Sequence, residues 1–194
     1  AGVAPADIVV ELTETALMDA PARTSPVLSL LAEAGVRLVI DDYGVGYSNM
    51  ARLNDLCASG LLDAIKIDFK SFTESFYRDV CSAHLRPVLE TLERVREVGT
   101  WLEIVVLTIP TFNDDPGVVS AMCRWIVQKL GRDVPLHFTR FHPMYKLVDL
   151  PPTPVATLER SRKIALDAGI RFAYAGNIPG DPGENTTCPS CKTL

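Results

Sequence analysis

The sequence predicts an α/β protein, a partial (βα)6 TIM-like barrel, and three observations lead there. Six apolar, β-branched runs recur at 8–12, 36–40, 64–69, 102–109, 136–141 and 171–175. Near-continuous apolar strands of this kind belong to parallel sheets covered by helices. The segments between them carry helical periodicity with start and stop signals, and acidic or polar residues gather where the strands end.

In chain order, the first strand, DIVVEL, is followed by Ser25-Pro26 ahead of VLSLLAEAG, a cap and proline opening a helix that a glycine closes. The second strand runs through VRLVI into Asp41 and Asp42, and the third is AIKIDF. Leu85, Val88, Leu89, Leu92 and Val95 form an i, i+3, i+4, i+7 stripe that faces a sheet and carries no chemistry. After the fourth strand, Asp115-Pro116 opens GVVSAMCRWIVQKLG, and after the fifth, Thr153-Pro154 opens VATLERSRKIALDAG. A closed eight-unit barrel takes roughly 250 residues. The 194 residues here give six units and one domain, with the first and last strands as edges. Open edges invite pairing with another copy, so homo-oligomerisation or strand exchange is expected.

Composition narrows the function. The net charge of −5 argues against a nucleic-acid duplex or an anionic membrane as partner, and a phosphate substrate must then be met by metal or local cations. No stretch approaches the ~20 apolar residues of a membrane span, and the N-terminus lacks the pattern of a secretory leader, which predicts a soluble, cytoplasmic protein. Five cysteines, an odd number in ordinary-looking segments, argue against a disulfide framework.

The chemistry-bearing residues sit where strands end. Glu11 and Glu14 close the first run, Asp41 and Asp42 the second, and Lys66 with Asp68 the third. Two adjacent acids ending an apolar strand repel one another unless a cation or backbone donors compensate them. Oxygen ligands of this type suit Mg²⁺ or Mn²⁺, which accept one or two carboxylates along with water and phosphate oxygens. The plainer readings are that Glu14 caps a loop, Lys66 only neutralises the acids, and Gly44 and Gly46 only serve a turn.

On the fifth strand, PLHFTRFHP, alternation places His137 and Arg140 on opposite faces while Arg140 and His142 share one. That makes Arg140 a candidate for phosphate and His142 a candidate ligand. His137 reads equally as a core histidine, His142 as a loop residue, His84 as surface and Asn177 as a turn cap. The tail 178–194, rich in Pro, Gly and polar residues, is expected to be flexible. Its Cys188-x2-Cys191 pair is half of a tetrahedral Zn²⁺ site that two chains could complete, or else a plain dithiol.

Two family resemblances cover different parts of the chain. Residues 7 to about 56 resemble the EAL-domain cyclic-di-GMP phosphodiesterases through ELTETALM and DDYGVGYSNMARL. Residues from about 61 onward resemble the radical-SAM enzyme of the AMMECR1/Memo-associated system, a relative of pyruvate formate-lyase activating enzymes. The matching segments include DAIKIDFKSF, LEIVVLTIPTFND, VPLHFTRFHPMYKL, YAGNIPG and NTTCPSC. DAIKIDFKSF satisfies both families, so the chain reads as a chimera of two barrel fragments joined at a shared strand, with boundaries 1–60, 61–177 and 178–194.

The resemblances imply unequal remnants. The C-x3-C-x2-C loop that holds the radical-SAM iron–sulfur cluster does not occur in the sequence, so no such cluster is expected. From the phosphodiesterase resemblance, Glu11 and Asp41 match metal ligands, Asp42 the acid beside a second metal, Glu14 the residue ordering the acidic loop, and Lys66 with Asp68 the groups near the attacking water. Glu103 lies at about the right sequence distance to replace the missing general base but opens its strand. The expectation is a metal-dependent phosphoester hydrolase with an incomplete acidic site and a small phosphoester as substrate. The alternatives are a recombined scaffold without catalysis or a cluster-less radical-SAM fragment.

Overall fold

The structure is a computed structural model that describes residues 2–13, 21–43, 50–191 and 193, with side chains left out at 21–24, 42–43, 50–52 and 54. The strands are β1 (Val9–Thr13), β2 (Arg37–Tyr43), β3 (Ala64–Asp68), β4 (Trp101–Thr108), β5 (Leu136–Arg140) and β6 (Ala173–Gly176). Between them lie helices α1 (Pro21–Glu33), α2 (Met50–Ala58), α3 (Glu74–Cys81), α4 (Leu85–Val98), α5 (Pro116–Lys129) and α6 (Val155–Ala168). The sheet runs in chain order, β1-β2-β3-β4-β5-β6, and the fold is the expected α/β TIM-like (βα)6 arrangement. None of the described helices is long and apolar enough to cross a membrane.

Burial follows the strand period of two. Leu38, Ile40, Ile65, Ile67, Ile104, Val106, Leu136, Phe138, Ala173 and Ala175 are buried. The alternate residues Val39, Asp41, Lys66, Asp68, Val105, His137 and Tyr174 are half-buried. Each fully buried Ile or Phe contributes about 1.5–3 kcal/mol relative to exposure, so this alternation fixes which side chains each strand leaves accessible.

The chain divides into two compact units, residues 1–68 with 90–103, and residues 69–89 with 104–194. The division at 68/69 falls inside DAIKIDFKSF. In the first unit β1 pairs in parallel with β2 from Val9↔Arg37 to Thr13↔Asp41. Asp63 anchors the start of the β2–β3 pair: its side chain accepts from the Leu38 N–H at 2.8 Å, and its own N–H donates to the Leu38 carbonyl at 2.9 Å. Helix α1 starts at Pro21, earlier than Ser25-Pro26 suggested, and Pro26 lies inside it. Pro21 offers the same pre-set φ at the first helical position, and Pro26 removes a single helical bond, the one to the carbonyl of residue 22.

In the second unit α5 buries Val119, Met122, Cys123 and Ile126 at helical spacing. Asp115 caps it, its side chain accepting from Val118 N–H at 2.9 Å, with Pro116 next. Helix α6 ends at Gly169, whose φ of 103° suits a residue without Cβ. Phe76, Tyr77, Ile109 and Phe141 form a cluster against which Leu85 and Val88 of the predicted stripe pack.

Thr153 does not cap α6, whose N-cap is Pro154. Its fully buried hydroxyl instead donates to the Thr108 carbonyl at 2.5 Å and accepts from the Phe141 N–H at 3.0 Å. The Thr153 N–H in turn donates to the Phe141 carbonyl at 3.1 Å. The same hydroxyl cannot serve both the end of β4 and the helix start, and the two strand-end groups would otherwise be buried without partners. Asn113, 4% exposed, plays a comparable part: its Oδ1 accepts from Ile109 N–H at 2.6 Å, and its Nδ2 donates to the Lys70 and Leu107 carbonyls at 2.6 and 2.9 Å.

Replacing Thr153 by Val strands the Thr108 carbonyl and the Phe141 amide and should cost about 1–3 kcal/mol, read as a lower urea midpoint. Thr153→Ser, which keeps the hydroxyl, should recover most of that loss.

Candidate functional site

The candidate site of the first unit is built at the ends of β2 and β3. Ile40 pairs with Ile65 and Tyr43 with Ile67, so β2 spends one more residue than β3 over the same span. That bulge falls on Asp41 and Asp42, which together oppose Lys66. Bulges of this kind re-aim side chains next to sites. Lys66 Nζ lies 2.5 Å from Asp41 Oδ1, with the two side chains 34% and 27% exposed. A pair this accessible adds at most about 1 kcal/mol to stability; it compensates the charge of Asp41, as the adjacent acids require.

Register places the other candidates on the same face. Glu11 is opposite Val39, and Thr13 is opposite Asp41, so Glu11 lies two rungs before Asp41 and is exposed. Asp68 follows Lys66 by two residues on β3 and is half-buried. The side chain of Asp42 and all of Glu14 lie outside the described residues. Among the described residues, no group of three or more His, Cys, Asp or Glu stands close enough to hold a metal ion by itself. The donor set does suit a hard cation, since Glu11, Asp41 and Asp68 offer only carboxylate oxygens and such ions accept one or two protein carboxylates plus water.

Arg140 and His142 belong to the second unit. Arg140 ends β5; its Nε donates to the Thr153 carbonyl at 2.8 Å, while its own carbonyl accepts from Asn177 Nδ2 at 3.4 Å. The guanidinium thus fastens the segment between Phe141 and Thr153. His142 is exposed and lies beyond the end of β5, so strand alternation does not extend to it. Asn177 holds a left-handed φ of 62°, consistent with a turn position. His137 stacks on Tyr174 with ring centroids 4.8 Å apart and planes 17° from parallel. Glu103 is the third residue of β4, and its Oε1 accepts from Trp101 Nε1 at 3.1 Å. His84 is on the surface, its Nδ1 2.7 Å from Glu74 Oε1, and this contact holds the Glu74 carboxyl below the usual range.

The cysteines separate into two kinds. Cys57 and Cys123 are buried, and burial raises both thiols, that of Cys123 to about 12. Cys191 is exposed, and its thiol is lowered to about 7, first by the Thr193 hydroxyl, whose Oγ1 lies 2.9 Å from Sγ, and then by backbone donors and Cys188. The Cys191 N–H points at Cys188 Sγ, 3.5 Å away. Sequence reasoning singled out this pair and read Thr153 as a helix cap, but missed Asn113 and Tyr174. Tyr174 carried a signal, standing two residues after Phe172 and ahead of a glycine at the end of a strand.

Residues 1–90 match the EAL domain family. An uncharacterized protein of Methanocaldococcus jannaschii is 46% identical over 133 residues, covering 69% of this chain and 40% of that protein. The probable cyclic di-GMP phosphodiesterase PdeB of Escherichia coli is 36% identical over 91 residues, 47% of this chain and 16% of its own length. The chain therefore spans 40% or less of these curated relatives. A domain of pyruvate-formate lyase-activating enzyme from Bacteroides vulgatus superposes with a TM-score of 0.69 at 15% identity, covering 86% of this chain and 98% of that domain. Two sources of similarity meet in one chain: an N-terminal segment that matches the EAL domain family, and a fold shared with a domain of a pyruvate-formate lyase-activating enzyme.

The thiol assignments predict a pH profile. Iodoacetamide labelling of Cys191 should rise with pH through a midpoint near 7, because deprotonation creates the nucleophile. Cys123 should stay unlabelled until the chain unfolds. Peptide mass spectrometry across a pH series reads both, and Thr193→Ala should move the Cys191 midpoint upward.

Proposed function

We propose that the first unit is a divalent-metal-dependent phosphoester hydrolase site, acting on small phosphodiesters or triesters. The observation that carries this reading is the bulged strand end where Asp41 meets Lys66 within the segment that matches the EAL domain. Glu11, Asp41 and Asp42 are the residues to hold Mg²⁺ or Mn²⁺. When bound, such an ion draws charge from a phosphoryl oxygen and makes water a better nucleophile.

The protein's own groups supply the remainder. Lys66 Nζ steadies phosphate charge after exchanging its Asp41 contact for a phosphate oxygen, and Asp68 orients the attacking water and accepts its proton. Arg140 and His142, the second unit's candidates for phosphate charge and metal, have no assigned step in this scheme, since the Arg140 guanidinium serves the Thr153 carbonyl.

Hydrolysis of bis(p-nitrophenyl) phosphate should appear with Mn²⁺ and vanish with chelator. It should fall at least about 10-fold in Asp41→Asn, with far-UV circular dichroism unchanged. Lys66→Met should lower the rate as well, while changing the unfolding free energy from urea titration by less than about 1 kcal/mol. Equal rates for Asp41→Asn and the parent chain would make the acids a strand-end charge arrangement and the chain a recombined scaffold.

A further inference from the structure

Cys188 lines a cavity that none of the chemistry above uses, and Cys191 stands three residues further along the same turn. The tail turns back on itself there: the Cys188 N–H donates to the Thr193 carbonyl at 2.8 Å, and the Cys191 N–H points at Cys188 Sγ at 3.5 Å. The turn is anchored to β6, where Tyr174 Oη and Thr186 Oγ1 are 3.1 Å apart. Beside it opens a cavity of about 540 Å³, within the range of small-molecule pockets. Its wall includes Arg132, Arg162, Arg171, Asn185, Thr187 and Cys188, and none of its lining residues is acidic.

The three guanidiniums are held in place by their own bonds. Arg162 Nε donates to the Ala173 carbonyl at 2.8 Å, and Arg132 Nε approaches the Gly169 carbonyl at 3.4 Å. One nitrogen of Arg171 pairs with Asp133 at 2.8 Å on the surface. A guanidinium carries five donors, so these bonds leave most of each set to a ligand in the cavity. Three cations against one surface carboxylate select an anion, and planar forks suit carboxylates.

We infer that Cys188 and Cys191 form a reversible dithiol whose reaction partner is a small anionic disulfide held by the arginine-lined cavity. The exposed Cys191 sulfur attacks one sulfur of the partner, forming a protein–partner disulfide and expelling a thiolate that takes up the proton Cys191 gave. Cys188 then loses its proton and attacks Cys191 Sγ, expelling the second partner thiolate, which is protonated in turn. The two protein thiols are oxidised to one disulfide, and the external disulfide is reduced to two thiols.

The test compares three disulfides on the reduced chain: oxidised glutathione, which is anionic, 2-hydroxyethyl disulfide, which is neutral, and cystamine, which is cationic. After quenching with N-ethylmaleimide, mass spectrometry follows the loss of two hydrogens from the peptide holding both cysteines. The expected order of rates is anionic, then neutral, then cationic, with the extremes separated by roughly 10-fold. Arg171→Gln and Arg132→Gln should narrow that spread without slowing the neutral reagent, and Cys188→Ser should stop at a glutathione adduct on Cys191. Rates indifferent to reagent charge, or no cross-link between the two cysteines, would overturn the inference. So would one zinc per chain or per pair of chains, lost on Cys188→Ser, since that outcome makes the pair a metal site.

Discussion

Everything in this molecule answers to the two-residue period of its parallel strands. Each strand must hand one set of side chains to the buried layer, as Leu38, Ile40, Ile65 and Ile67 do, and what remains is the surface from which the strand-end site is made. A slip of one residue would carry Asp41 and Lys66 into the apolar layer, where neither charge would be solvated, and would bring Ile40 and Ile65 out of it. The acids stay at the strand ends because the buried layer excludes them. The extra residue at Asp41-Asp42 is accommodated at the end of β2, where the ladder has already paired Val39 with Ala64 and Ile40 with Ile65.

The fold was legible because it is written in this same period. Apolar runs, caps and glycine stops marked five of the six strands to within a residue or two and ended β2 three residues early, and Asp115-Pro116 was read correctly because its capping bond is local. The misreadings arose where a residue had a stronger distant partner. Thr153 has the sequence of a helix cap, yet a buried carbonyl on β4 claims its hydroxyl. The start of α1 moved because Pro21 offers what Pro26 offers, four residues sooner along the same helix.

The candidate site was legible in kind more than in arrangement. Alternation alone relates Lys66 to Asp68 on one strand, whereas the strand register is what adds Asp41 and Glu11 to their face. Composition does not encode which partner each charge takes. Lys66 reaches across to Asp41, whereas Arg140, also cationic and at the end of β5, turns to a backbone carbonyl thirteen residues away in sequence. Hydrogen-bond geometry decides between such outcomes, and it depends on segments far apart in the chain. The chain thus pairs an N-terminal segment matching the EAL domain family with a fold shared with a domain of a pyruvate-formate lyase-activating enzyme.

The Asn113 side chain has a further implication for chemical durability. Its amide meets one main-chain N–H and two main-chain carbonyls, a combination that needs an acceptor and a pair of donors on one short side chain. Loss of ammonia from this amide would leave a carboxylate facing the two carbonyl oxygens in a closed environment, replacing two attractions with two repulsions. Ageing at this one position would therefore loosen the end of β4 while every apolar contact around it stayed intact.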